Sequence, residues 1–594
     1  MMLGANITDA GVEYRVWAPQ HVHCRVIIAD AHGERTLAMT TDTEGVWSVT
    51  DPLSSAGSRY AFLPGDEAET PDFWSRYQPD GVHARSEVVD PSRFVWTDTA
   101  WRGITADKAI VYELHVGAYT SAGTWDALIG QLQALQDLGA TVLEIMPVAQ
   151  CPGTRNWGYD GVYHFAPANY YGTPDDMRRF VDAAHEHNLA VILDVVYNHF
   201  GPEGNYSGRY SPWYLSETNT TDWGPALNWD GPHSDMVRMW ALANIGYWVT
   251  EFHLDGFRLD ATQAMIDSSP ESIVQELGTH AREIAGDKPL ILYAEDGRHD
   301  IARARPAPHG DGMDGVWADD FHHEVRVHLT NDSEMWLQYY DGTITNIADT
   351  IRDGFSPTTF AKGDHLAVAD SDLASAFVHC LQNHDQVGNR PLGERLHHVI
   401  NLDRYKVASA LFLFDPETPL LFMGQEFAAS TPFCFFTDMP SELGRQVTEG
   451  RRKEFAGFPA FQDEHLRDTI PDPQEESTFL RSKLRLGERE THAGVYALYQ
   501  DLIKLRREHP AMQSVDRRDC EAIALSTEML RVHRRGNGQE ILLLANFGPE
   551  TSVGVEAGWE VLLSTDDVKY GGSGQALNNT IPARTAVILG ASSY

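Results

Sequence analysis

The chain has 594 residues, 42% of them hydrophobic and 10% aromatic. That is enough to bury a large core in roughly three or four domains, or in one large barrel with satellites. Its 85 acidic and 46 basic residues leave a formal net charge of −39, which argues against nucleic acid or an anionic membrane as a partner and favours a neutral or cationic ligand.

The N-terminus lacks a basic stretch followed by an apolar one, so no secretory signal is expected. No apolar run approaches the ~18–20 residues of a membrane span. Five cysteines (Cys24, Cys151, Cys380, Cys434, Cys520) are scattered without a CxxC pair, as in a reducing compartment. The protein is therefore expected to be cytoplasmic, and to act as a monomer.

Residues 1–95 read as β. Alternating runs at Val12–Trp17, Cys24–Ile28, Val46–Val49 and Tyr60–Phe62, parted by Gly, Asp and Pro turns, predict a sandwich. Residues 71–89 read as a loop. From residue 96 to 517 strands and helices alternate. Ala109–Val116 is an apolar strand. Thr124 caps a helix whose buried face is Leu128, Leu132, Leu135 and Leu138, ending at Gly139. Thr141–Pro147 is the second strand. Thr173-Pro174-Asp175-Asp176 opens a helix, with proline at its first position and two acids facing the dipole.

Further strands follow at Ala190–Val196, Asp255–Asp260, Leu290–Ala294, Gly315–Trp317, Ala376–Leu381 and Pro419–Phe422. Eight βα units favour a closed (β/α)8 TIM barrel over an open sheet, with functional residues at the C-terminal strand ends. Residues 356–372 read as a polar insertion, and the charged, proline-bearing residues 450–490 as a loop excursion. Residues 518–594 read as a small antiparallel β domain, with Gly536-Asn537-Gly538 as a hairpin turn and a strand at Val553-Gly554-Val555.

The strand ends carry the chemistry. The third ends Asp194…Asn198-His199, the fourth Arg258-Leu259-Asp260, the fifth Glu295-Asp296 and the seventh Asn383-His384-Asp385. Singly, each is compatible with a surface ion pair, a structural histidine or a turn. Charge recurring at four ends of one barrel is not. Two converging carboxyls suit glycoside hydrolysis, where one must be an anion and the other must hold a proton. Arg258 would keep Asp260 ionised, and Glu295 beside Tyr293 and Ala294 could hold a proton. Phosphoryl transfer would need a phosphate loop or a metal with lysine, and neither is recognisable.

These four segments resemble, in order, the signature regions of the α-amylase superfamily of glycoside hydrolases. The resemblance implies Asp260 as nucleophile, Glu295 as acid/base and Asp385 as the third carboxylate. Arg258 would fix Asp260; Asp194, His199 and His384 would contact the sugar, and Tyr159 in Asn156-Trp157-Gly158-Tyr159-Asp160-Gly161 would stack on it. Gly11–Pro19 is similar to the N-terminal sandwich of branching and debranching members.

Ser75–His83, Trp317–Glu324, Gln382–Arg395, Gly424–Phe433 and Glu449–Phe455 are similar to segments of the malto-oligosyltrehalose trehalohydrolase branch. Phe73-Trp74 and Gly297 depart from it. The implied substrate is malto-oligosyltrehalose or a related α-glucan. Branching-enzyme-like transfer is the alternative, and a catalytically dead glucan-binding protein a more distant one. Trp223, Trp229, Trp317, Asp319, Asp320, His323, Phe433 and Phe436 are candidates for recognising the trehalose end. Asn198 matches a calcium-binding position of many relatives, but no other ligand is recognisable, so no metal or other cofactor is expected.

Overall fold

The computed structural model describes residues 2–360, 367–458, 461–462, 464–554, 558–575, 577 and 579–591. The N-terminal part is two facing four-stranded antiparallel sheets. One holds Gly4–Thr8, Gly11–Trp17, Val46–Asp51 and Thr40–Thr41; the other holds Gly33–Ala38, Cys24–Asp30, Arg59–Pro64 and Ser86–Glu87. Alternation decides the faces, because side chains two apart in a strand point the same way. Val12, Tyr14 and Val16 of one sheet and Val26, Ile28, Tyr60 and Phe62 of the other are buried, with the Tyr14 and Tyr60 rings 5.0 Å apart.

Phe73 and Trp74 pack this sandwich onto the central part. Trp74 stacks on Phe165 at 5.0 Å, and Phe73 stacks on Trp240.

The central part is a closed parallel barrel of eight strands: Val111–Leu114, Val142–Ile145, Ala190–Val195, Gly256–Leu259, Ile291–Ala294, Gly315–Trp317, Phe377–Cys380 and Thr418–Phe422. The eighth pairs with the first through Leu420 and Val111, which closes it. The registers put Glu113 opposite Glu144 and Asp194 opposite Arg258. Gly256 opens the fourth strand with φ +155°, and a Cβ there would lie 1.8 Å from the Ile291 carbonyl oxygen. Only glycine allows this approach.

Asp255, just before it, is a strut. It accepts hydrogen bonds from the Val191 amide at 2.8 Å and the Trp101 indole at 2.7 Å, and pairs with His185 at 2.9 Å.

The helix read from Thr124 to Leu138 is two helices, Trp125–Ile129 and Leu132–Leu138. The break falls at Gly130-Gln131, where glycine is the weakest helix former of the run. Thr173–Asp176 does form a reciprocal capping box.

Residues 450–490 are more ordered than a loop excursion. They continue the helix Ser441–Phe455 and add Glu464–Arg467, Glu476–Ser482 and Glu488–Thr491. Two of the charges that suggested a loop pair along the first helix instead, Arg451 with Glu454. Of the polar insertion, Pro357–Phe360 is helical and residues 361–366 lie outside the described residues.

The C-terminal part is a five-stranded antiparallel sheet with a two-residue turn at Asn537-Gly538, φ +50° and +75°. The strand read around Val553 is Thr551–Ser552, and Val555 lies outside the described residues. All five cysteines are buried and unpaired. Among the described residues no helix is long and apolar enough to cross a membrane.

Candidate active site

Arg258 is the hub of the barrel's C-terminal mouth. Its guanidinium is buried and donates from Nη1 to Asp194 Oδ2 and Asp260 Oδ1, and from Nη2 to Glu295 Oε2, each at 2.7 Å. It sits 4.2 Å over the Trp317 ring. Burial alone would discharge it, but the acids around it hold its pKa well above the usual value. One cation thus orients three carboxylates from the third, fourth and fifth strands.

The carboxylates differ in setting. Asp260 Oδ2 accepts from Asn198 Nδ2 at 2.6 Å, so each oxygen has a donor. Glu295 Oε2 also accepts from the Ala261 amide at 3.0 Å. That amide points correctly because Ala261 adopts a left-handed backbone, φ +42°, a strain typical of functional sites. Burial, reinforced by Asp260 and Asp385 and opposed by Arg258, pushes the Glu295 carboxyl up to about 8. It therefore carries a proton at neutral pH. Burial likewise lifts Asp194 to about 6. Asp385 is the most open, with a third of its side chain exposed, and Asn389 donates to it at 2.9 Å.

His384 lies beneath this mouth. Its Nε2 meets the Tyr159 hydroxyl at 2.8 Å and Asp385 at 3.4 Å, while Nδ1 is held by Glu113. Burial lowers its pKa, but Asp385 and Glu113 outweigh that and raise it to about 10. The Tyr159 hydroxyl also donates to Asp194 at 2.6 Å. Asp194, Arg258, Asp260, Glu295, His384, Asp385 and Tyr159 thus form one bonded cluster.

Other expected contacts fall elsewhere. Both ring nitrogens of His199 are taken, by Asn198 and by the Tyr159 carbonyl, so it braces the Tyr159 loop and offers no nitrogen to a sugar. Asp320 is fully buried: Tyr340 and the Ser356 amide donate to it, and His299 lies 3.3 Å away. It ties loops together and does not face the cleft. His323 is buried against Gln386 and Tyr340. Trp317 is buried as the platform under Arg258, and Trp229, Phe433 and Phe436 are core. Asp319 is half-buried and held by Asn383 at 3.1 Å. Trp223 is different. It is 52% exposed at a hairpin tip and stacks on His199 at 5.3 Å. Asn198 donates to Asp260, and its Oδ1 meets the His199 ring.

Sequence reasoning missed Glu113, Asn389 and Arg451. Glu113 sits in an apolar strand, and that lone buried acid was the available signal. Arg451 comes from the helix after the eighth strand. It donates to Asn389 Oδ1 at 2.9 Å and to the Gly388 carbonyl at 3.0 Å, while Asn389 holds Asp385. No local pattern links those positions.

Three domain families match the chain. They are carbohydrate-binding module 48 (isoamylase N-terminal domain) over residues 2–78, the alpha amylase catalytic domain over 88–224, and a domain of unknown function (DUF3459) over 517–588. The malto-oligosyltrehalose trehalohydrolase of Deinococcus radiodurans is 42% identical over 554 residues, 91% of this chain and 88% of that one. That of Saccharolobus solfataricus is 39% identical, over 86% and 87% of the two chains. A 1,4-alpha-glucan branching enzyme from Corynebacterium jeikeium is 25% identical, over 97% of this chain and 79% of its own. A crystal structure of an alpha amylase candidate from Salmonella typhimurium superposes with a TM-score of 0.89 at 34% identity, covering 99% of each chain. With this much of its length shared, the chain belongs to the malto-oligosyltrehalose trehalohydrolase family of the α-amylase superfamily.

Proposed function

We propose that the protein hydrolyses the α-1,4 bond joining a maltodextrin to a terminal trehalose in malto-oligosyltrehalose, releasing trehalose as a step of trehalose biosynthesis. The observation that carries the chemistry is the sharing of Arg258 by two unlike carboxyls, Asp260 with a donor on each oxygen and Glu295 raised to about 8.

Asp260 attacks the anomeric carbon and the bond to the leaving trehalose breaks, while Glu295 gives its proton to the leaving oxygen. A water then attacks the glycosyl ester, Glu295 takes the water's proton, and the maltodextrin leaves with its anomer retained. Two carboxyls on adjacent nitrogens of one guanidinium fit the close spacing of a retaining pair, ~5–5.5 Å. Asp385 grips sugar hydroxyls, the buried His384 imidazolium holds Asp385 and Tyr159 in place, and Tyr159 supplies the stacking face. Trp223 is the exposed aromatic set for the rim.

A division at 1–95, 96–517 and 518–594 would put all of this chemistry in the central part. Unpaired buried thiols fit a cytoplasmic setting.

The test is incubation with maltotriosyltrehalose and with plain maltodextrin. Free trehalose and α-maltotriose are expected, with maltodextrin a poor substrate. New α-1,6 branches would establish the transferase reading instead, a β-anomer released first would end the retaining mechanism, and no turnover of any α-glucan would leave a binding protein.

A further inference from the structure

A second cluster lies in the lower half of the barrel, away from the catalytic mouth. His379 is on the seventh strand, and Asp415 and Glu417 are in the segment that enters the eighth. All three side chains are fully buried. One imidazole nitrogen and the two carboxylates present ligand atoms within 4.8 Å of one another. His379 Nδ1 is 3.0 Å from Asp415 Oδ2 and 3.8 Å from Glu417 Oε2.

Three carboxylate oxygens here, Asp415 Oδ1 and both of Glu417, have no hydrogen-bond partner. Unpaired buried carboxylate is among the most costly groups a fold can hold. Arginines stand close by but serve the backbone. Arg506 donates to the carbonyls of Leu413, Asp415, Pro416 and Glu417, and Arg534 to those of Phe414 and Asp415. They fix the 413–417 segment and leave three of its carboxylate oxygens bare.

His379 is oriented for ligation. Its Nε2 sits 2.9 Å from the Gly354 carbonyl, an acceptor only, so Nε2 keeps its hydrogen, while Nδ1 donates to Asp415 Oδ2 here and would give up that hydrogen to turn its lone pair to an ion. Metal-bound histidines are held in this way by a carbonyl behind the ring.

We propose that His379 Nδ1, Asp415 and Glu417 bind one divalent transition-metal ion, with zinc the best match to an imidazole and two carboxylates. The ion would tie the seventh strand to the segment feeding the eighth. At this end of a barrel it serves stability and not the reaction. The ligands are far apart in sequence, and the reading from sequence expects no metal.

The experiment uses untagged, full-length protein purified without chelator. Elemental analysis should find about one zinc or related ion per chain. After stripping with dipicolinate, zinc titrated against a chromophoric indicator should refill one site and raise the Tm, as a ligand of the native state must. Glu417→Gln and His379→Gln should lose the ion. Were either variant to misfold, the wild-type strip-and-refill titration decides alone. Metal-free protein with no saturable uptake would overturn the proposal and leave Glu417 to Arg517, whose Nη1 is also unpartnered. An ion that survives Glu417→Gln would overturn it too.

Discussion

Glu295 must hold a proton in an enzyme that works near neutrality. With its carboxyl raised to about 8, Glu295 keeps its proton at pH 7, which it would lose at the ordinary value of 4.5. Burial, with Asp260 and Asp385 beside it, therefore favours the acid form. The kcat/KM for maltotriosyltrehalose should be level to about pH 7 and fall about tenfold per unit above pH 8, because this ratio reports the free enzyme. Glu295→Gln removes the donor and should cost about 10²–10⁴-fold.

The discriminating substrate is α-maltotriosyl fluoride, since fluoride departs without a proton. Fluoride release in the first turnover of Glu295→Gln should stay within about tenfold of wild type, and the wild-type alkaline limb should vanish. The assay is rapid-mix fluoride release beside trehalose release, each from pH 5 to 9. An alkaline limb of equal size with both substrates would refute the assignment of that proton to Glu295, as would a wild-type rate already falling at pH 6.

Glu113→Gln removes the anion that holds His384. The lost charge-assisted bond should cost about 2 kcal/mol, or about 30-fold in kcat/KM. The His384 pKa, raised to about 10 by Asp385 and Glu113, should fall, so the defect should deepen as pH rises; a flat, wild-type-like profile would count against the contact. Arg451→Met should lower kcat by about tenfold through the loosened Asn389–Asp385 pair, with Arg451→Lys partly restoring it. Equal loss in both variants, with Tm unchanged, would remove this positioning role. Asp320→Asn should destabilise the fold by about 1–3 kcal/mol, read as a lower Tm, and leave the preference for trehalose-ended substrate over plain maltodextrin intact. A changed preference would return Asp320 to the cleft.

Much of the architecture was legible in the chain because it depends on local rules. Strands such as Ala190–Val195 are short apolar runs bounded by turn residues, and eight of them separated by helices admit few topologies. The carboxyls proposed for the chemistry were legible for a related reason. A charge at the end of an apolar strand stands out, and a barrel brings all such ends to one mouth.

Prediction went astray where the deciding neighbour was remote. Asp320 and His323 are next to the strand end at Trp317 and look poised for substrate, yet Tyr340, Ser356 and Gln386 claim them. His199 lost its nitrogens to Asn198 and the Tyr159 loop.

Sequence alone determined the fold class, the eight strands and which carboxyls end them, since each follows from periodicity and neighbouring residues. Tertiary structure alone decided how those carboxyls differ. Asp260 and Glu295 are both acids beside Arg258, yet Asn198 gives Asp260 a donor on each oxygen, while desolvation and the neighbouring Asp260 and Asp385 raise Glu295 against the pull of Arg258 and the Ala261 amide. A pKa is set by the solvent and charge surrounding a group in space, and the groups that raise Glu295 come from separate strands and loops of the barrel.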